Sequence, residues 1–231
     1  TSFTKKNLFK ISKSLKQEQN KYSIHLSGGD TVFSKKLSFT ITSVGFSKKI
    51  VFRNKAKIND DIYVTGNLGD SYIGLKILKK KINLNKNLSN YFVKKYFCPD
   101  LKFNLTKKLF SFANTSIDIS DGLITDLEKM INKQKFSYNL YLKNIPVSNN
   151  LKKLIDNKVI KKISSVSRGD DYQILFTASP SKSRIISKTS RSLGIKISKI
   201  GKICNHLQKP QIYNEKDEII APKNKGYLHK F

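Results

Sequence analysis

Only 16 acidic residues stand against 45 basic ones in 231 positions, so the places where carboxylates gather are informative. They gather at Gly28-Gly-Asp30, Asp60-Asp61, Asp118-Ile-Ser-Asp121 and Gly169-Asp-Asp171, each at a turn or strand end in the sequence pattern. Carboxylates in such places suit magnesium, a small hard ion that takes oxygen ligands in near-octahedral geometry and often shares them with substrate phosphates. The Gly28-Gly29 pair beside Asp30 would let a phosphate approach the backbone closely. Each cluster alone also has an ordinary structural reading: Asp121 as a helix N-cap, Asp60 and Asp61 in a turn, Asp30 in a tight loop. Asp118 is harder to explain that way. It lies inside an apolar alternation, where a carboxylate is costly unless a cation or several donors meet it.

Other chemistries lack their residues. His25, His206 and His229 fall in no metal-ligand spacing, and neither a Gly-x-Ser-x-Gly elbow nor a phosphate-binding Walker loop is present. Cys98 and Cys204 form no Cys-x-x-Cys pair, which points away from a disulfide framework or a zinc site and toward a reducing, cytoplasmic setting. No window approaches the run of about 18 apolar residues that a membrane helix requires, so a soluble chain is expected. The net charge of +29 would ordinarily suggest nucleic acid, but the lysines are spread along the whole chain and no RNA-binding motif accompanies them.

The elements that would position these acids alternate between helix and strand. Leu8, Ile11 and Leu15 predict an amphipathic helix from Asn7 to Asn20, and the opening residues read as already mid-helix, as in a fragment with sequence missing upstream. A short strand at 22–26, a sharp turn at Ser27-Gly-Gly-Asp-Thr31 and a half-buried strand over 37–42 are expected next, then a polar boundary from Gly45 to Asn59. Further strands are predicted at 61–65, 116–120, 138–142, 172–176 and 195–203, with helices over 73–78, 88–97, 123–131, 151–160 and 181–193. This mixture predicts a layered α/β or α+β architecture.

Taken in order, Ser27-Gly-Gly-Asp-Thr31, the segment from Arg53 to Ser71 containing Asp61-Ile-Tyr-Val-Thr-Gly66, Ser116-Ile-Asp-Ile-Ser-Asp-Gly-Leu123, Gly169-Asp-Asp-Tyr-Gln-Ile-Leu-Phe176 and Gly226-Tyr-Leu-His-Lys-Phe231 resemble thiamine-monophosphate kinases. The first and third motifs are shared with the wider superfamily of aminoimidazole ribonucleotide synthase. The resemblance implies an α+β fold: residues 1–46 as the end of an N-terminal α/β domain that binds ATP and magnesium, and residues 47–231 as a complete C-terminal α+β domain with a mixed sheet.

It also implies magnesium-dependent transfer of the ATP γ-phosphoryl group to thiamine monophosphate, by direct transfer without a catalytic side chain. Carried over by position, Gly29, Asp30, Arg53 and Ser120 would contact ATP; Asp30, Asp118 and Asp121 would hold Mg²⁺; Asp170 and Tyr227 would face the thiamine substrate. The family usually has Glu at the Asp170 position and Gly at Arg168. A homodimer is implied for the full-length protein, and little or no activity for residues 1–231 alone. The alternatives are a sibling ATP-using synthetase, such as aminoimidazole ribonucleotide synthase, and a basic RNA-binding module. No specific nucleic acid and no membrane are expected as partners.

Overall fold

A computed structural model describes residues 4–47 and 49–227. They fall into two compact units, Thr1–Ser47 and Lys48–Phe231. Among the described residues no helix is long and apolar enough to cross a membrane.

The first unit is one helix, α1 (Lys5–Tyr22), followed by chain without regular structure. Its start is defined by the Thr4 hydroxyl, which accepts the Asn7 N–H at 3.3 Å. The chain therefore enters this helix at a cap and not mid-helix. The strands expected at 22–26 and 37–42 and the turn at 27–31 do not form. The alternation of Leu37, Phe39 and Ile41 is present, but these side chains are 63 to 79% exposed. A half-buried strand needs a partner edge for its N–H and C=O groups and a core for its apolar face. Some 47 residues with no buried side chain on α1 supply neither.

The second unit is built on a six-stranded mixed sheet of order β2-β4-β1-β5-β3-β6. Its strands are β1 (Asp61–Thr65), β2 (Thr115–Asp118), β3 (Ser137–Tyr141), β4 (Ile174–Ala178), β5 (Ile197–Cys204) and β6 (Gln211–Tyr213). Neighbours pair antiparallel except β3 and β6, which run parallel. Central β1 is buried along its whole length, and its side chains divide with the period of two. Ile62 and Val64 join one core with Leu123, Leu127 and Met130 of α5 (Leu123–Ile131). Tyr63 joins the opposite core, stacked on Phe176 at 5.2 Å, with Leu105 and Leu109 of α4 (Phe103–Leu109) and Ile186 of α8 (Ser183–Leu193).

A third cluster joins α2 (Asp70–Leu78), α3 (Lys86–Phe97) and α6 (Asn149–Asp156) through Ile73, Phe92, Leu151 and Leu154. The short helix α7 (Lys162–Val166) lies between α6 and β4 in the chain. This is the α+β architecture expected. The sequence pattern did not predict α4, α7 or β6, which are seven, five and three residues long.

Candidate active site

The Asp118–Ser120 and Gly169–Tyr172 segments are laced together by backbone. The Asp170 N–H donates to the Ser120 carbonyl at 3.0 Å, the Tyr172 N–H to the Ile119 carbonyl at 2.8 Å, and the Ile119 N–H to the Gln173 carbonyl at 2.9 Å. Gly169 is required by this closeness, since a Cβ there would stand 1.8 Å from the Ser120 carbonyl oxygen. A third strand of chain arrives from the C-terminus: the Tyr227 N–H donates to the Asp121 carbonyl at 2.8 Å, and the Lys225 carbonyl accepts the Thr125 N–H at 3.2 Å. Asp118, Ser120, Asp121, Asp170 and Tyr227, distant in sequence, are thus brought together by main-chain bonds. The rest of the terminal motif, residues 228–231, lies outside the described residues.

The carboxylates differ in setting. Asp118 ends β2 and is exposed, so the cost expected for a carboxylate in a buried alternation does not arise; β2 is an outer strand whose last position opens to solvent. Asp121 is not the N-cap of α5. Gly122 holds that position, and the buried Asp126 carboxylate, inside the helix, accepts the N–H groups of Asp121 at 2.8 Å and Gly122 at 3.0 Å. The Asp121 side chain, relieved of capping, is paired with Lys129. Asp170 is half-buried with a left-handed backbone, φ 67°, and its carboxyl is pushed above the ordinary range by burial and then by the Asp121 charge, with Lys79 opposing.

Its neighbour Asp171 turns the other way. It is fully buried, accepts the Gly69 N–H at 2.8 Å, and burial pushes its pKa up to about 8. Gly69 is the N-cap of α2 and has no side chain to cap with, so Asp171 supplies the acceptor from another part of the chain. The adjacent Asp70 carboxylate is also occupied, by Ser148 Oγ at 2.7 Å and the Tyr91 hydroxyl at 2.9 Å. Asp70 and Asp171 are structural, a distinction the sequence pattern missed.

Of the other expected residues, Arg53 lies apart from this cluster within the second unit, and Gly29 and Asp30 lie in the first unit. The Asn54 N–H donates to the Met130 carbonyl, so Arg53 sits near the C-terminal end of α5, while the cluster is at its N-terminal end; nine residues of helix are about 13 Å long. Gly29 and Asp30 belong to the first unit, where a Cβ on Gly29 would meet nothing within 4 Å and Asp30 Oδ1 accepts the Thr31 N–H at 2.7 Å. Asp60 is a buried hub, accepting Lys57 N–H, Asn114 Nδ2 and Thr177 Oγ1 at 2.9 Å each. Among the described residues no three His, Cys, Asp or Glu side chains converge closely enough to hold a metal by themselves.

No family model matches the chain. Against curated proteins, however, it is 36% identical over 227 residues to the thiamine-monophosphate kinase of Buchnera aphidicola subsp. Acyrthosiphon pisum, covering 96% of this chain and 69% of that one. The chain belongs to the thiamine-monophosphate kinase family. The Haemophilus influenzae enzyme of that name is 33% identical over 84% of this chain and 59% of its own. Among solved structures, the Stenotrophomonas maltophilia thiamine-monophosphate kinase superposes with TM-score 0.63 at 23% identity, covering 73% of this chain and 54% of that one. The complex of AaThiL with AMPPCP and TMP superposes at 0.64 and 23% identity, over 79% and 55%. These likenesses establish the shared fold, and the chain spans about half the length of the solved family members.

Proposed function

We propose that the protein transfers the γ-phosphoryl group of ATP to thiamine monophosphate, giving thiamine diphosphate and ADP. The observation that carries this reading is the main-chain convergence of Asp118, Ser120, Asp121, Asp170 and Tyr227 in a member of this kinase family. In the transfer a phosphate oxygen of thiamine monophosphate bonds to the γ-phosphorus while the bond from that phosphorus to the β,γ-bridging oxygen breaks. The acceptor oxygen is already ionised at neutral pH, so no general base is required and the protein's task is positioning and charge neutralisation. The scarcity of histidine is then no obstacle.

Asp118 and Asp121 are the residues of the second unit that would hold Mg²⁺. Two carboxylates on one strand-to-helix turn fit an ion that keeps waters and takes its remaining ligands from substrate phosphates. When bound, the ion would neutralise charge on the two phosphorylated substrates. By the family resemblance, Asp30 would be a further magnesium ligand, and Gly29, Arg53 and Ser120 would contact ATP. Asp170 and Tyr227 would face the thiamine end. A cytoplasmic homodimer completes the reading.

The test is transfer of label from γ-³²P-ATP to thiamine monophosphate by the protein made with whatever coding sequence precedes Thr1 in its gene. Labelled thiamine diphosphate formed only with Mg²⁺ is the expected result, and its absence would overturn the reading.

A further inference from the structure

We propose that Tyr172 is a specificity residue whose ring receives the positively charged thiazolium of the substrate. This rests on the kinase reading above and adds a residue to it. Tyr172 is 40% exposed, although Asp171 and Gln173 on either side are each only 5% exposed. Its backbone is left-handed, φ 49°, a conformation costly for a bulky aromatic residue and retained where surrounding structure enforces it. The enforcement is visible: the Tyr172 N–H and the Gln173 carbonyl both bond to Ile119. The ring is held out of the core by a rigid loop at the edge of the candidate site.

The electrostatic surroundings of that ring are acidic. Its hydroxyl is pushed above the ordinary tyrosine value by burial first, then by the charges of Asp170 and Asp118, with Tyr96 and Asp121 contributing less. With Asp118 and Asp121 committed to magnesium, Asp170 and the aromatic face remain for the substrate. A thiazolium has a delocalised permanent charge and no N–H to donate, so hydrogen bonding cannot recognise its charge. An aromatic face with a carboxylate beside it can.

Calorimetric titration of the whole protein, the same preparation as in the transfer assay, separates this proposal from the kinase reading. The ligands are thiamine monophosphate and 3-deazathiamine monophosphate, in which a neutral thiophene replaces the thiazolium while the methylene-bridged rings and the phosphate are kept. Wild type and Tyr172→Phe should prefer thiamine monophosphate by about ten-fold, the scale of a partly desolvated cation–π contact. Tyr172→Leu should lose that preference with magnesium-ATP affinity unchanged. Should the Leu variant melt early, Tyr172→Gly removes the ring and suits the left-handed backbone. Equal binding of the two ligands by wild type, or a preference kept in the ring-less variant, overturns the Tyr172 assignment and leaves the kinase reading standing. Failure of wild type to bind thiamine monophosphate at all overturns both.

Discussion

Asp60-Asp61 and Asp118-Ile-Ser-Asp121 are acidic groups at opposite ends of two sheet strands, and they have opposite lives. Asp60 and Asp61 are both nearly inaccessible, the first saturated by an amide N–H, an asparagine and a threonine, the second paired with Lys199 at 2.7 Å. Asp118 is exposed and Asp121 half-buried at a turn that two other chain segments approach. A carboxylate whose lone pairs are consumed by buried donors builds the fold, and one that faces solvent beside a glycine-lined crossing can bind. Donor count and accessibility separate the two, while residue type does not.

That contrast can be broken experimentally. Asp60→Ala would leave donors from three segments without an acceptor and should cost about 4 kcal/mol of stability, read by urea unfolding. A loss below about 1 kcal/mol would mean that water replaces the carboxylate. Asp118→Asn should leave the melting temperature nearly unchanged, yet lower kinase turnover in the whole protein about 100-fold, as removal of a charge-bearing ligand does. Unaltered kinetics would place the metal elsewhere.

Asp171 sharpens the comparison through pH. A carboxyl with its folded pKa raised holds its proton more tightly in the folded state, so its contribution to stability is full at low pH and lost as pH rises from its unfolded value near 3.8 toward about 8. The melting temperature of wild type should therefore fall across that window, and Asp171→Asn should flatten the decline; parallel curves would contradict the assignment. The smallest effect belongs to Lys129→Ala, whose own side chain is 40% exposed although its partners Asp121 and Asp126 are 16% and 1% exposed. It should cost under about 1 kcal/mol, less in high salt, by thermal melts at two ionic strengths.

Much of this was legible in the sequence where the pattern was strong and local. The period-two alternation of Asp61–Thr65 and the helical spacing of Leu123, Leu127 and Met130 correspond to β1 and α5. The misses have physical causes. Three-residue β6 exists through parallel pairing with β3, a partner about 70 residues earlier that no local window contains. Leu37–Thr42 carries a strand's pattern, but pattern alone cannot supply a partner edge. Asp170 and Asp171 look equivalent in sequence; left-handed backbone at 170 and 172 sends one to the site and the other into the core. The exposure of Tyr172 has no sequence signal of its own, because it is set by that same backbone.

The bond from Gly69 to Asp171 also constrains the order of folding. It spans 102 residues, and the loop it anchors is the one that crosses Ser120. Helix α2 takes this cap from the segment that leads into β4, the strand lying between β1 and β2. Loop closure over such a separation is entropically slow, so the acidic site should be among the last parts to form during refolding and among the first to exchange its amide protons when the native state opens.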